Sequence, residues 1–379
     1  MKILSLFSNI GVAEARFAER GIHVAVANEF VKRRADFYQT VYPKSRMICG
    51  DISSDSTKDK IIQACLEEGV DVVMATPPCQ GMSTAGEQLE FDPRNSLVLH
   101  ALEIVNAIHP KYVFFENVPQ FLQTSIVYHD GISFIPDVIK REIGGEYHLE
   151  IYKVNMADYG IPQIRERAII LCTRKDQEYR WKLPKRVAKR VTLRDCIGDL
   201  PSVDPFVKDV PEKELLNLFP HYYERRKAAL SISPWHIPPV HVKRQVICMM
   251  HTPTGKSAFE NPKEFLPKKA NGEPVKGFKN TYKRQNWDTP AYTVTMDNRK
   301  ISSQDNVHPG RKYIADGVAL YSDPRTLTLY EIMRVMTIPD NWPIPANTSE
   351  AFLRRVIGEG IPSSFAEAVF VELQKGAGL

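Results

Sequence analysis

The chain has 379 residues, 43% of them hydrophobic and 25% charged, and a net charge of +5. That length holds up to two domains with a substantial core, and the composition is that of a globular protein, not a disordered or fibrous one. No run approaches the roughly eighteen apolar residues of a membrane span, and the six cysteines are scattered without paired spacing, which excludes a disulfide framework and a zinc site and fits a reducing cytoplasm.

Residues 2–7 predict a first strand; they are too short for a signal peptide and lack a small-residue cleavage site. A helix is expected over 12–20, a strand over 23–27, a helix over 33–41, a strand over 46–49 and a helix over 58–68. The apolar run at 70–74 reads as a buried strand, stopped by Pro77 and Pro78. A helix over 96–108 follows, then a strand that ends at Glu116-Asn117-Val118-Pro119, a helix near 135–142, and strands near 146–154 and 168–173. Strands alternating with helices predict an α/β fold with a doubly wound, mostly parallel sheet.

Beyond residue 173 prolines become frequent and basic residues recur among Trp181, Tyr222, Tyr223 and Trp235. Residues 180–325 hold 27 Lys+Arg against 15 Asp+Glu, while the rest of the chain is net acidic. A basic middle in an acidic frame points to a polyanion partner, although a solvated basic surface explains the same excess. Helices over 325–338 and 363–373 then return to the first domain. The expected division is 1–179 as catalytic domain, 180–325 as a smaller irregular domain and 326–379 as the returning segment.

Cys79 is placed just past a strand's carboxyl end, where open α/β sheets bind ligands. A thiol there serves as a nucleophile if its pKa is lowered; it fits a buried inert cysteine equally well. The strand ending in Glu116 adds a carboxylate at the same edge. The first strand-to-helix turn, Phe7 to Gly11, holds one glycine and is a weak signal alone. Glu29 ends the second strand, where an acid accepts from ribose hydroxyls, and Asp51 ends the third, where it can accept from an adenine amino group beside Phe30 and Ile52.

With Pro77-Pro78-Cys79-Gln80, Glu116-Asn117-Val118 and Gln163-Ile164-Arg165-Glu166-Arg167 in this order and spacing, the chain resembles the DNA (cytosine-5) methyltransferases over residues 1–174 and roughly 285–372. The resemblance implies a class I S-adenosylmethionine-dependent, Rossmann-like catalytic domain and a target-recognition domain. It implies methyl transfer to C5 of a flipped-out cytosine in a specific double-stranded DNA sequence, with S-adenosylhomocysteine as product and no metal. Cys79 is then the nucleophile at C6, Glu116 the acid at N3, and Arg165 the group holding O2, supported by Arg167 and Gln163. Phe7, Ile10, Gly11, Glu29, Phe30, Asp51, Ile52, Pro78, Leu97 and Glu359 are assigned to the cofactor. Gln80, Ser83 and Arg94 are assigned to DNA, on a loop expected to close over the flipped base.

Asn9, Val12, Thr76 and Glu359 depart from the family pattern around the cofactor. The resemblance further implies a prokaryotic, cytoplasmic monomer held at the nucleoid through DNA, acting beside a restriction endonuclease without stable binding. A tRNA cytosine-5 methyltransferase shares the first two blocks, and a catalytically dead DNA-binding protein is the alternative from another class.

Overall fold

The computed structural model describes residues 1–78, 93–277, 280–301 and 305–379. Its centre is a seven-stranded sheet formed by β1 (Lys2–Leu6), β2 (His23–Glu29), β3 (Arg46–Cys49), β4 (Val72–Ala75), β5 (Tyr112–Asn117), β8 (Tyr147–Asn155) and β9 (Glu166–Arg174), with β6 (Ser125–Tyr128) and β7 (Gly131–Phe134) forming a separate hairpin. The order is β3-β2-β1-β4-β5-β9-β8, and all neighbours run parallel except β9, which is antiparallel to both β5 and β8. Every residue of β4 and β5 is buried, as expected for strands covered on both faces.

One face is covered by α2 (Asp55–Glu68), α3 (Leu97–Ile108) and α4 (Ile135–Ile143), which pack Ile61, Val98, Leu102 and Ile139 onto Leu4, Val73 and Phe115. Phe17, Tyr38 of α1 (Lys32–Val41), Trp181 and the last helix, Ser363–Ala377, cover the other, against Ile3, Met74 and Phe114. Each fully buried side chain of this kind contributes about 1.5–3 kcal/mol. That second face is therefore completed only when residues 363–377 are in place. The strand order reverses between β1 and β4, and there the carboxyl ends diverge to open a cleft.

Two expectations need correction. Residues 12–20 are not an α-helix: turns with bonds to the third residue back lead into a short 3-10 turn at Ala18–Arg20. Gly11 stands at φ +78° and Glu14 is drawn inward onto Ser5, so regular winding does not begin. The helix expected over 325–338 covers only Leu329–Val335, because Arg325 is consumed by buried ion pairs and Thr328 with Glu331 forms a capping box that starts the helix after it. The chain also forms the β6–β7 hairpin and a helix at Glu350–Glu359, neither of them anticipated.

Packing crosses the expected boundaries at 180 and 325. Leu193, Trp287 and Val294 share a cluster with Leu329, Met333, Val356 and Phe37. The returning segment thus welds the basic middle to α1 of the first domain.

Candidate active site

The cleft, of about 1230 Å³, is lined by the carboxyl ends of β1, β2 and β4, by residues 118–120 just past β5, by residues 164–167, by residues 293–296 and by residues 358–361; Glu116 lies behind this wall, paired with the lining Arg167. Glu116 sits near the end of β5, only 8% exposed. Burial pushes its carboxyl pKa up, against the opposing charges of Arg167 and Arg165. Arg167 Nε meets Glu116 Oε1 at 2.9 Å. Next to it, Asn117 Nδ2 donates to the Pro77 carbonyl at 3.0 Å, while its own Oδ1 accepts from Val118 N–H. That pair of bonds ties the stiff Pro77-Pro78 run to the strand that carries Glu116, and Pro78 lines the cleft. Cys79, Gln80 and Ser83 lie outside the described residues.

The two arginines take different places. Arg165 is 1% exposed: Nη1 donates to Gln163 Oε1 and the Val294 carbonyl, and Nη2 to the carbonyls of Gly358 and Gly360. Gln163, fully buried, accepts from Val294 N–H and donates to Met336 Sδ. These two side chains clasp the cleft walls at 293–295 and 358–360, and Arg167, not Arg165, is the arginine in contact with Glu116. Arg165 lines the cleft as well, with Nη1 on Gln163 and the Val294 carbonyl and Nη2 on the carbonyls of Gly358 and Gly360.

On the other side of the cleft, Glu29 is 6% exposed and accepts from Asn9 N–H and Val31 N–H. Burial raises its pKa, partly offset by those bonds and by Arg34. Asp51 follows β3 and accepts from Ser53 N–H, with Ile52 buried beside it. Phe7, Phe30, Pro78, Arg94 and Leu97 also line the cleft, and the Phe30 ring is 68% exposed. Phe7 and Asn9 hold positive φ, 59° and 52°, so the turn is strained where it faces the cleft.

Ile10 and Gly11 do not line it. Ile10 packs with Phe37 and Val41, and the Gly11 carbonyl accepts from Tyr42 Oη. A Cβ on Gly11 would lie 2.2 Å from the Tyr42 ring, which explains the glycine by packing. Glu359 lines the cleft, paired with Arg34 at 2.9 Å and with Arg355 at 3.5 Å.

Sequence reasoning missed Ser5, Glu14, Arg34, His100 and Thr293–Met296, all cleft-lining. Arg34 is predictable only as partner to the unusual Glu359; Glu14 was hidden by the expected helix. No group of His, Cys, Asp and Glu suited to a metal occurs among the described residues.

This geometry matches a known family. The model of the C-5 cytosine-specific DNA methylases fits residues 1–375. The chain belongs to that family. The methylase is 40% identical to the Type II methyltransferase M1.HgaI of Avibacterium volantium, over 98% of this chain and 97% of that one. It is 26% identical to the Type II methyltransferase M.NgoPII of Neisseria gonorrhoeae, over 99% and 96%. Among solved structures, one described as a DNA modification methyltransferase of an Escherichia coli prophage superposes with a TM-score of 0.66 at 19% identity, covering all of both chains, and so shares the methylase's fold. The methylase is a DNA cytosine-5 methyltransferase with a class I catalytic fold, and family membership implies S-adenosylmethionine as methyl donor. No helix among its described residues is long and apolar enough to cross a membrane.

Proposed function

We propose that Cys79 attacks C6 of a cytosine rotated out of double-stranded DNA, that Glu116 supplies a proton at N3, and that Arg167 holds the base at O2. Cytosine C5 is a weak nucleophile. Thiolate addition at C6 breaks the ring's aromaticity and moves electron density onto C5 and N3, so a carboxylic acid at N3 lowers the barrier. The Glu116–Arg167 contact carries this reading: a buried carboxyl with a raised pKa, beside a cation within reach of the same base. Bound in the cleft, S-adenosylmethionine supplies an electrophilic methyl group. C5 then loses its proton and Cys79 is eliminated, restoring the aromatic ring.

The residues present suit that cofactor. Glu29 keeps lone pairs for ribose hydroxyls, the exposed Phe30 ring offers a stacking face, and Asn9 Oδ1 is buried without a hydrogen-bond partner. Asp51 and Ile52 would take the adenine edge, with Pro78, Leu97 and Glu359 completing the wall. Flipping the base costs a few kcal/mol, and the basic segment 180–325 is the part we assign to target recognition, with Arg94 on a phosphate. The likeness to Type II methyltransferases supports a role as the modification partner of a restriction endonuclease; a monomer on cytoplasmic DNA belongs to the same proposal.

The test is covalent trapping on duplex DNA carrying 5-fluorocytosine. The parent is expected to form a denaturation-resistant adduct that Cys79→Ser does not form; an equal adduct from Cys79→Ser would overturn the nucleophile assignment. Preferential methyl transfer to tRNA over duplex DNA would overturn the substrate assignment.

A further inference from the structure

The cleft floor holds an acid for which the reaction above has no use. Glu14 lies in the turn after β1 and is only 3% exposed, yet it lines the cleft beside Ser5, Ala13 and Met74. Ser5 Oγ donates to its Oε1 at 2.6 Å, and the phenols of Tyr38 in α1 and of Tyr42 just past its end face it. β4 contributes Met74, which carries no charge. The other acids that line the cleft have partners: Glu359 has Arg34 and Arg355, Glu166 has Lys153, Glu29 has two backbone N–H groups with Arg34 nearby, and Asp51 accepts from Ser53 N–H; Glu116, behind the wall, has Arg167. Among the described residues no cation pairs with Glu14.

An acid removed from water with no countercharge is costly to ionise. Burial accordingly raises the Glu14 pKa to about 7, only partly relieved by the Ser5 bond. Such a group waits for a cation, and a methyl donor brings two.

We infer that Glu14 is the countercharge for a cationic group of the methyl donor, its sulfonium or its ammonium, and surrenders its proton to solvent when the donor binds. The inference rests on S-adenosylmethionine being the donor, as proposed above. Cation in and proton out leaves the net charge of the cleft floor unchanged. Affinity then rises with pH up to the free-state pKa, because below it binding must displace a proton, and levels off above it.

The experiment is calorimetric titration with S-adenosylmethionine in buffers of different ionisation enthalpy, which counts protons directly and needs no catalysis. The parent should release about one proton at about pH 6 and almost none at about pH 8, with affinity rising about five- to tenfold across that interval. Glu14→Gln should abolish the release and flatten the affinity profile, which separates Glu14 from Glu29. S-adenosylhomocysteine, which keeps the ammonium and lacks the sulfonium, should release the same proton if the ammonium is the partner, and none if the sulfonium is. Binding of S-adenosylmethionine by the parent without proton release, or release unchanged in Glu14→Gln, overturns the inference alone. No binding of S-adenosylmethionine at all overturns the donor assignment along with it.

Discussion

Two buried acidic centres in this molecule behave in opposite ways. Around Arg325, Glu331 accepts from both Nη atoms at 2.8 Å, and Asp323 accepts from Nη2 and from Val203 N–H, Ser202 Oγ and Ser322 Oγ. Burial works against ionisation there, yet Arg325 and its neighbours bring Glu331 down to about 2 and hold Asp323 well below the usual carboxylate range. At the cleft, Glu116 has a single touching guanidinium and Glu14 has none, so burial wins and both rise. Opposing charge close at hand, from Arg325 and His308, and not depth, decides whether a buried acid is fixed or able to exchange a proton.

Three measurements would break or sharpen that contrast. The largest effect is expected at the cleft: Glu116→Gln should lower kcat about 10²- to 10⁴-fold while leaving the urea unfolding midpoint nearly unchanged. A comparable loss of stability would place Glu116 with the structural acids. Next, Glu331→Gln should destabilise the protein by about 3 kcal/mol, since it leaves Arg325 buried with a broken pair, as read from urea unfolding near neutral pH. Because the folded pKa of Glu331 lies below its ordinary value, its stabilisation is present above roughly pH 4.5 and fades as pH falls toward 2.

Smallest, and of opposite sign, is Glu14→Gln. With the pKa raised from 4.5 to about 7, the parent loses stability as pH climbs through that window. The variant should therefore be more stable by up to about 3 kcal/mol above neutrality, and equal to the parent near pH 4. A thermal-unfolding pH series lacking that divergence would show that the Glu14 carboxyl is not held protonated.

The contrast also marks what the sequence could carry. Apolar runs between breakers placed β1 to β5 and β9 within a residue or two, and with them Glu116 and Glu29, because strand ends in such sheets face the ligand side by topology alone. Arg165 and Arg167 were harder. Two apart, they would share a face in a continuous strand, but β9 begins at Glu166 and Arg165 precedes it beside the Gln163–Ala291 bridge, so it turns to the returning segment. Glu14 was illegible for a related reason: the segment after Gly11 reads as a helix over 12–20, while the folded turn brings Glu14 inward onto Ser5. Pairings between distant segments, such as Arg34 with Glu359, leave no local periodicity to read.

The last helix, Ser363–Ala377, shields Phe17, Phe114 and Trp181 on one side of the central sheet. During translation that side of the sheet lacks this cover until residues 363–377 have left the ribosome. Nascent fragments that stop short of residue 363 would therefore carry a sticky apolar face.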